Sequence, residues 1–193
     1  MHSGTKYIAG HSDALLGRLT ASPITSRGLE LAGTLRTVQV HTGGVASPFD
    51  SWLALRGLKT LHVRVEQQAK SAQALAEFLD EQNIVKKVYY PGLRSHPQHG
   101  IASGQMSNFG GVFSVEFETE EIATAFAAVL RVIQRATSLG GTETLIEHRA
   151  SIEPPHRRVS PPALLRVSVG LEDTKQLIQD MKVAISIAKE ISK

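Results

Sequence analysis

The chain has 193 residues, 41% of them hydrophobic and 20% charged, with 21 Lys+Arg against 18 Asp+Glu and no cysteine. A chain of this length hides roughly 70% of its unfolded surface and so builds a real core, while the lack of cysteine excludes disulfides and thiol catalysis. A net charge of +3 without a basic block leaves no nucleic-acid footprint, no apolar run approaches the roughly 20 residues of a membrane span, and no charged-then-apolar leader is visible, so a cytoplasmic protein is expected.

Met1–Gly17 read MHSGTKYIAGHSDALLG. Lys6 follows Thr5 directly and Ser3 at a short distance, among small residues that let a ligand approach the backbone. An amine beside two hydroxyls suits a phosphate-bearing aldehyde: the amine condenses with the aldehyde and the hydroxyls donate to phosphate oxygens. Taken alone, Ser-x-Thr-Lys also suits a solvated surface lysine. His11 and Asp13 are expected to pair beside the lysine in a structural role. Asp13 to about Ala21 reads as a short strand and its exit, and SPITSRGLELAGTLRTVQ as a loop entering a helix. Ser47 before Pro48 is a helix start, a side-chain cap followed by a proline whose missing N–H costs nothing there. The spacing of Leu61, Val65, Ala69, Ala72, Ala76 and Leu79 predicts one long helix from about Pro48 to about Glu81. The helix is either straight or kinked, with Gly57 as the candidate kink, and Arg64, Gln68, Lys70 and Gln73 lie on its solvent face.

NIVKKVYYPG then predicts a strand closed by a Pro-Gly turn. Asn108–Glu118 alternates, with Phe113, Val115 and Phe117 on one face and Ser114, Glu116 and Glu118 on the other, as in a half-buried strand. Thr119 and two glutamates open a helix carrying Ile122, Phe126, Val129, Leu130 and Ile133 on its apolar side. LIEHRASI and LLRVSVG read as strands, and Glu153–Pro162, with four prolines, as a loop. Asp173-x-x-Gln176 is a capping box for a last helix with the stripe Leu177, Met181, Ala184, Ala188 and Ile191. From about residue 82 this order gives a small α+β domain. His96 and His99 have a metal-like spacing, but Pro97 intervenes and no third ligand accompanies them, so no metal is expected. Arg166 lies in an apolar strand where a guanidinium needs a partner. That partner is either a ligand carboxylate, which its flat fork matches, or a buried acid in a structural ion pair. Ser138, before a glycine pair, reads by itself as a turn serine.

The lysine run is followed in order by SPFDSWLALRGLKTL, VYYPGLRSHPQH, NFGGVFSVEF, TSLGGTETL and LLRVSVGLED. With Ser3, Thr5, Lys6, Tyr7, Gly10, His11, Ser12 and Asp13, these blocks resemble the pyridoxal-phosphate (PLP) enzymes of cysteine and methionine metabolism, the cystathionine synthase and lyase group. The resemblance spans essentially the whole chain and corresponds to about the C-terminal half of a full family member. It implies an α/β chain, the C-terminal part of a PLP-dependent transferase of the aminotransferase-like fold type I. Residues 1–81 would be a remnant of the large PLP-binding domain with its long connecting helix, and residues 82–193 a small C-terminal α+β domain.

The resemblance also implies chemistry. The function expected is that of a PLP-dependent trans-sulfuration enzyme, of the cystathionine γ-synthase or cystathionine lyase type, acting on a sulfur amino acid. Lys6 would carry pyridoxal 5'-phosphate covalently and shuttle protons at the α and β carbons, with Ser3 and Thr5 donating to the phosphate. Arg166 would hold the substrate α-carboxylate, and Ser138 would lie near cofactor and substrate. Many family γ-lyases and γ-synthases carry an acid where Thr137 stands, so γ-synthase, γ-lyase and β-lyase all stay open. The family's backbone phosphate cradle, its stacked aromatic ring and its aspartate at the pyridine nitrogen have no counterpart here, nor do the tyrosine and arginine lent by a neighbouring subunit. Met1 reads as an internal family methionine. A homo-oligomer, or a complementing N-terminal half, is the partner this implies, and the chain alone is not expected to turn over. The alternative is a non-catalytic interaction or assembly module derived from such an enzyme.

Overall fold

The computed structural model describes residues 1–191; Ile191, predicted on the last helical stripe, is described in its backbone alone. The chain divides into two compact units, Met1–Leu61 and His62–Lys193.

In the first unit β1 (His2–Ser3) pairs antiparallel with β2 (Gly17–Arg18). The strand expected over Asp13 to Ala21 is thus confined to two residues, matching a partner strand of two. A wide helical turn, Gly4–Ile8, follows β1. It is tied down by the Gly4 and Thr5 amides, which donate to the Leu16 carbonyl at 2.8 and 3.2 Å. Helix α1 (Ser26–Thr42) starts on Thr25, whose hydroxyl accepts from the Gly28 amide at 3.0 Å. Helix α2 (Pro48–Leu58) starts as its sequence predicts, with the Ser47 hydroxyl accepting from the Asp50 amide at 3.0 Å.

The long or kinked helix expected over Pro48 to Glu81 is two helices, interrupted next to the possible kink at Gly57. The Thr60 amide and hydroxyl both return to the Gly57 carbonyl, at 3.1 and 3.2 Å, which closes α2 before α3 (Leu61–Asp80) begins. Gly57 has a second duty. A Cβ there would lie 2.0 Å from the Ala9 carbonyl oxygen, so glycine is what lets α2 approach the segment after Lys6.

The second unit is built on a five-stranded mixed sheet of order β3-β4-β7-β6-β5. Its strands are β3 (Val85–Tyr89), β4 (Val112–Phe117), β5 (Gln134–Arg135), β6 (Leu145–His148) and β7 (Leu164–Ser168). All neighbours are antiparallel except the β5–β6 pair. Helices α4 (His99–Gln105), α5 (Glu120–Val129), α6 (Arg149–Ile152) and α7 (Thr174–Ile191) complete it. One buried cluster joins Phe113, Val115 and Phe117 of β4 to Leu165 and Val167 of β7, Leu75 and Leu79 of α3, Ile122 and Phe126 of α5, and Leu177, Met181, Ala184 and Ala188 of α7. The predicted caps hold: the Thr119 hydroxyl accepts from the Ile122 amide at 3.3 Å, and Asp173 Oδ1 from the Lys175 and Gln176 amides at 2.9 and 3.0 Å.

Three polar positions expected on solvent faces are buried: Arg64, Gln68 and Glu116. Gln68 Nε2 donates to the Gly141 carbonyl at 2.6 Å. Glu116 accepts from Lys86 Nζ and Tyr89 Oη, both at 2.6 Å, and these bonds hold its carboxyl below the usual carboxylate range.

Candidate active site

Ser3, Thr5 and Lys6 are brought together on the turn that opens the first unit. Lys6 breaks its helical geometry, with φ −84° and ψ −127°. The turn is closed beneath it by the Ala9 amide on the Gly4 carbonyl at 2.9 Å and by the Gly10 amide on the Lys6 carbonyl at 2.8 Å. Gly4 is buried so tightly that a Cβ would meet Leu16 Cγ at 2.6 Å. Thr5 Oγ1 accepts from the Leu16 amide at 3.0 Å and donates to the Leu16 carbonyl at 3.3 Å. Ser3 is exposed, and its side chain makes no bond to cap the turn. His11 Nδ1 donates to the Ala9 carbonyl at 2.7 Å, where the sequence suggested Asp13 as its partner.

Ser138 and Arg166 are brought together in the second unit. Arg166 Nη2 donates to the Ser138 carbonyl at 2.8 Å and forms an ion pair with Glu147 Oε2. Glu147 lies opposite Arg166 in the β6–β7 register and is 3% exposed, so the buried acid weighed from the sequence is present. The guanidinium is not exhausted by it: Arg166 Nε is buried without a hydrogen-bond partner among the described residues. Ser138 has φ +96°, a left-handed backbone that a non-glycine residue adopts at a cost of about 1–3 kcal/mol. Its loop is held from several sides. The Gly140 amide donates to Ser168 Oγ at 3.0 Å, Gln68 takes the Gly141 carbonyl, and Thr144 gives its amide and hydroxyl to Glu172 at 2.7 and 2.6 Å. Such a strained, over-determined loop suits a position that must present its atoms without rearrangement.

Sequence reasoning missed Gln68, Glu147 and Glu172. Gln68 looks like a surface residue on a helix, and its partner lies 73 residues away. Glu147 carried a readable signal, one acid in an apolar strand that answers one arginine in another. His99 Nδ1 donates to the Pro91 carbonyl at 2.7 Å and its ring lies 5.5 Å from that of Phe109. No group of three or more His, Cys, Asp or Glu converges as metal ligands among the described residues. No helix among them is long and apolar enough to cross a membrane.

The sequence profile of the Cys/Met metabolism PLP-dependent enzymes matches residues 1–186. The chain belongs to that family. A cystathionine β-lyase of Lactococcus lactis subsp. cremoris is 43% identical over 96% of this chain and 49% of its own length. A cystathionine γ-lyase of Dictyostelium discoideum has the same identity and the same coverage of both chains. A crystal structure of cystathionine γ-synthase from Xanthomonas oryzae pv. oryzae in complex with cystathionine superposes with a TM-score of 0.87 at 38% identity, covering 98% of this chain and 50% of that one. The mixed α/β architecture is therefore that of the fold-type-I, aminotransferase-like PLP enzymes. The chain spans about half the length of the curated relatives it matches. Relatives named for three reactions match at comparable identity, so likeness assigns the family and not the reaction.

The donor set of the first unit fits the family's cofactor. A primary amine sits on a turn whose backbone is pinned to Leu16, with a serine hydroxyl outside the cap. The bond from Thr5 to the Leu16 carbonyl is long, at 3.3 Å, and a phosphate oxygen is a stronger acceptor than the carbonyl it would replace.

Proposed function

We propose that the chain is part of a PLP-dependent trans-sulfuration enzyme of cysteine and methionine metabolism, of the cystathionine γ-synthase, γ-lyase or β-lyase type, corresponding to the C-terminal half of such an enzyme. The observation that carries the reading is the placing of Ser3, Thr5 and Lys6 on one pinned turn in a chain of this family. PLP, when bound, supplies the electron sink for chemistry at the substrate's α carbon. Ser3 and Thr5 would hold its phosphate and Lys6 its aldehyde end, and Lys6 Nζ would serve as the base that moves protons at the substrate's α and β carbons. Arg166 holds the α-carboxylate through the exposed part of its guanidinium, and the Ser138 carbonyl and Glu147 fix that group through Nη2. Thr137 offers a distal amino group no charge.

The pyridine ring's own partners come from protein outside these 193 residues, an N-terminal half or a neighbouring subunit of a homo-oligomer. Leu15, Leu19, Ile24, Phe49, Trp52 and Leu55 are exposed in the first unit, an amount of uncovered apolar side chain that supports that requirement. The same side chains favour a second reading, a non-catalytic assembly module that docks on such a partner.

The test begins with the purified chain, PLP and borohydride reduction. A phosphopyridoxyl mass gain on the Lys6 peptide, absent from Lys6→Ala, is the expected result. Turnover of cystathionine is expected when a family N-terminal half is supplied, and not from the chain alone. Absence of the adduct from the complemented protein overturns the enzymatic reading and leaves the assembly module.

A further inference from the structure

Arg166 is one end of a row of charges in the second unit. Glu147 gives Oε2 to Arg166 and Oε1 to Arg149, whose Nη1 donates to it at 2.9 Å. Arg149 Nε also lies 3.4 Å from Glu153 Oε1. Glu153 is itself spent on its own loop, accepting from the Val159 and Ser160 amides at 2.9 and 3.0 Å and from the Ser160 hydroxyl at 2.8 Å. The Glu147 carboxylate, buried between the arginines, thus serves two cations with one charge.

The division has a consequence for Arg166. An arginine closed in a private pair with a buried carboxylate presents no net charge, and an incoming carboxylate meets the repulsion of the acid already there. When a second guanidinium shares that acid, part of the first one's charge is returned to it. Arg166 keeps unspent donor capacity as well: its buried Nε–H has no partner among the described residues, and a quarter of the side chain remains exposed. Arg149 is about half exposed, so it draws on Glu147 without burying further charge of its own.

Resting on the reading of Arg166 as the carboxylate anchor, we propose that Arg149 is a specificity-determining residue that acts through Glu147 and sets how tightly Arg166 takes an α-carboxylate. Arg149 touches no substrate; it works by competing for the acid.

The experiment uses the full chain and acetate as the probe, at constant ionic strength held with chloride. The Nε–H resonance of Arg166, assigned by its loss in Arg166→Lys, is followed by heteronuclear NMR. In the native chain it shifts saturably with acetate. Arg149→Gln weakens the apparent affinity by about three- to tenfold, as expected for one charge removed at close range near a screened surface. Arg149→Lys, which keeps the charge, stays within about twofold of native, a rescue that a purely structural role would not produce. Glu147→Gln, which keeps the shape and removes the competing charge, tightens binding. If the native resonance ignores acetate, the anchor reading of Arg166 fails and this inference with it. If native and Arg149→Gln chains bind acetate equally, the anchor reading stands and Arg149 has no part in it.

Discussion

The two units bury very different things. From Met1 to Leu61 the buried apolar side chains are three alanines, Ala9, Ala14 and Ala54, accompanied by buried Gly4, Gly10, Gly28 and Gly57. From His62 onward, Tyr90, Phe113, Phe117, Phe126, Leu165, Leu177 and Met181 are all essentially inaccessible. The first unit therefore holds its shape by backbone contact, through the Leu16 carbonyl under Gly4 and Thr5 and the Ala9 carbonyl against Gly57. The second holds its shape by side-chain burial. Lys6 sits in the first, which has no large buried side chain, and Arg166 sits in the second, which has a large-residue core.

The difference is broken most directly by cutting the chain between the units. Residues 62–193 are expected to unfold cooperatively by heat or denaturant, and residues 1–61 to show no cooperative transition, since burying small side chains does not offset backbone entropy of about 1–2 kcal/mol per residue. Cooperative unfolding of the smaller piece would refute the contrast. Within the intact chain, Phe126→Ala is expected to cost about 3–5 kcal/mol, because Phe126 is fully buried with its ring 4.9 Å from that of Phe117. Leu29→Ser on α1, where the side chain is 60% exposed, is expected to stay within about 0.5 kcal/mol. Urea midpoints at constant m-value decide both.

Gly57→Ala probes backbone contact, the first unit's own means of support. Its methyl would collide with the Ala9 carbonyl, so α2 or the segment after Lys6 must shift, at a cost of about 1–3 kcal/mol. The expected signature is local: hydrogen exchange rises at the Ala9 and Gly10 amides, which close the Lys6 turn, while the sheet of the second unit keeps its protection.

Local signals in the sequence were read well and distant ones were not. Ser47, Thr119 and Asp173 cap the helices they announced because a cap needs partners within three residues. The β4 alternation and the α7 stripe survive because each is a period written in consecutive residues. The break after α2 was foreshadowed only by Gly57, since no proline or cap residue marks an end at Lys59 and Thr60. Arg64 and Gln68 were misplaced for a different reason. Nothing next to them in the chain shows that a loop 73 residues later offers Gln68 a carbonyl. At the site, Ser3, Thr5 and Lys6 were legible as one run. Of the partners of Arg166, an acid was foreseeable but its identity as Glu147 needed the strand register, and Ser138 was not legible, because it reaches Arg166 through a strained loop that no short motif encodes.

The smallest expected effect lies inside the better-packed unit, at a segment that packing does not hold. The Glu153 carboxylate is lowered from its ordinary 4.5 to about 2 by the Ser160 amide first, then the Val159 amide and the Ser160 hydroxyl. A folded-state value below the unfolded one means that ionised Glu153 favours the ordered loop. That contribution is complete above about 4.5 and disappears as pH falls through about 2. Exchange protection at the Val159 and Ser160 amides is therefore expected to hold from neutral pH down to about 4.5 and to decline between there and about 2. Glu153→Gln should flatten the profile, since its one amide oxygen still accepts from the Val159 and Ser160 amides but does not titrate, while the bond from the Ser160 hydroxyl to the second oxygen is lost. The segment is one that otherwise has little to hold it, for Val159 is 86% exposed. A loss of protection centred well above pH 4.5 would refute the assignment to Glu153.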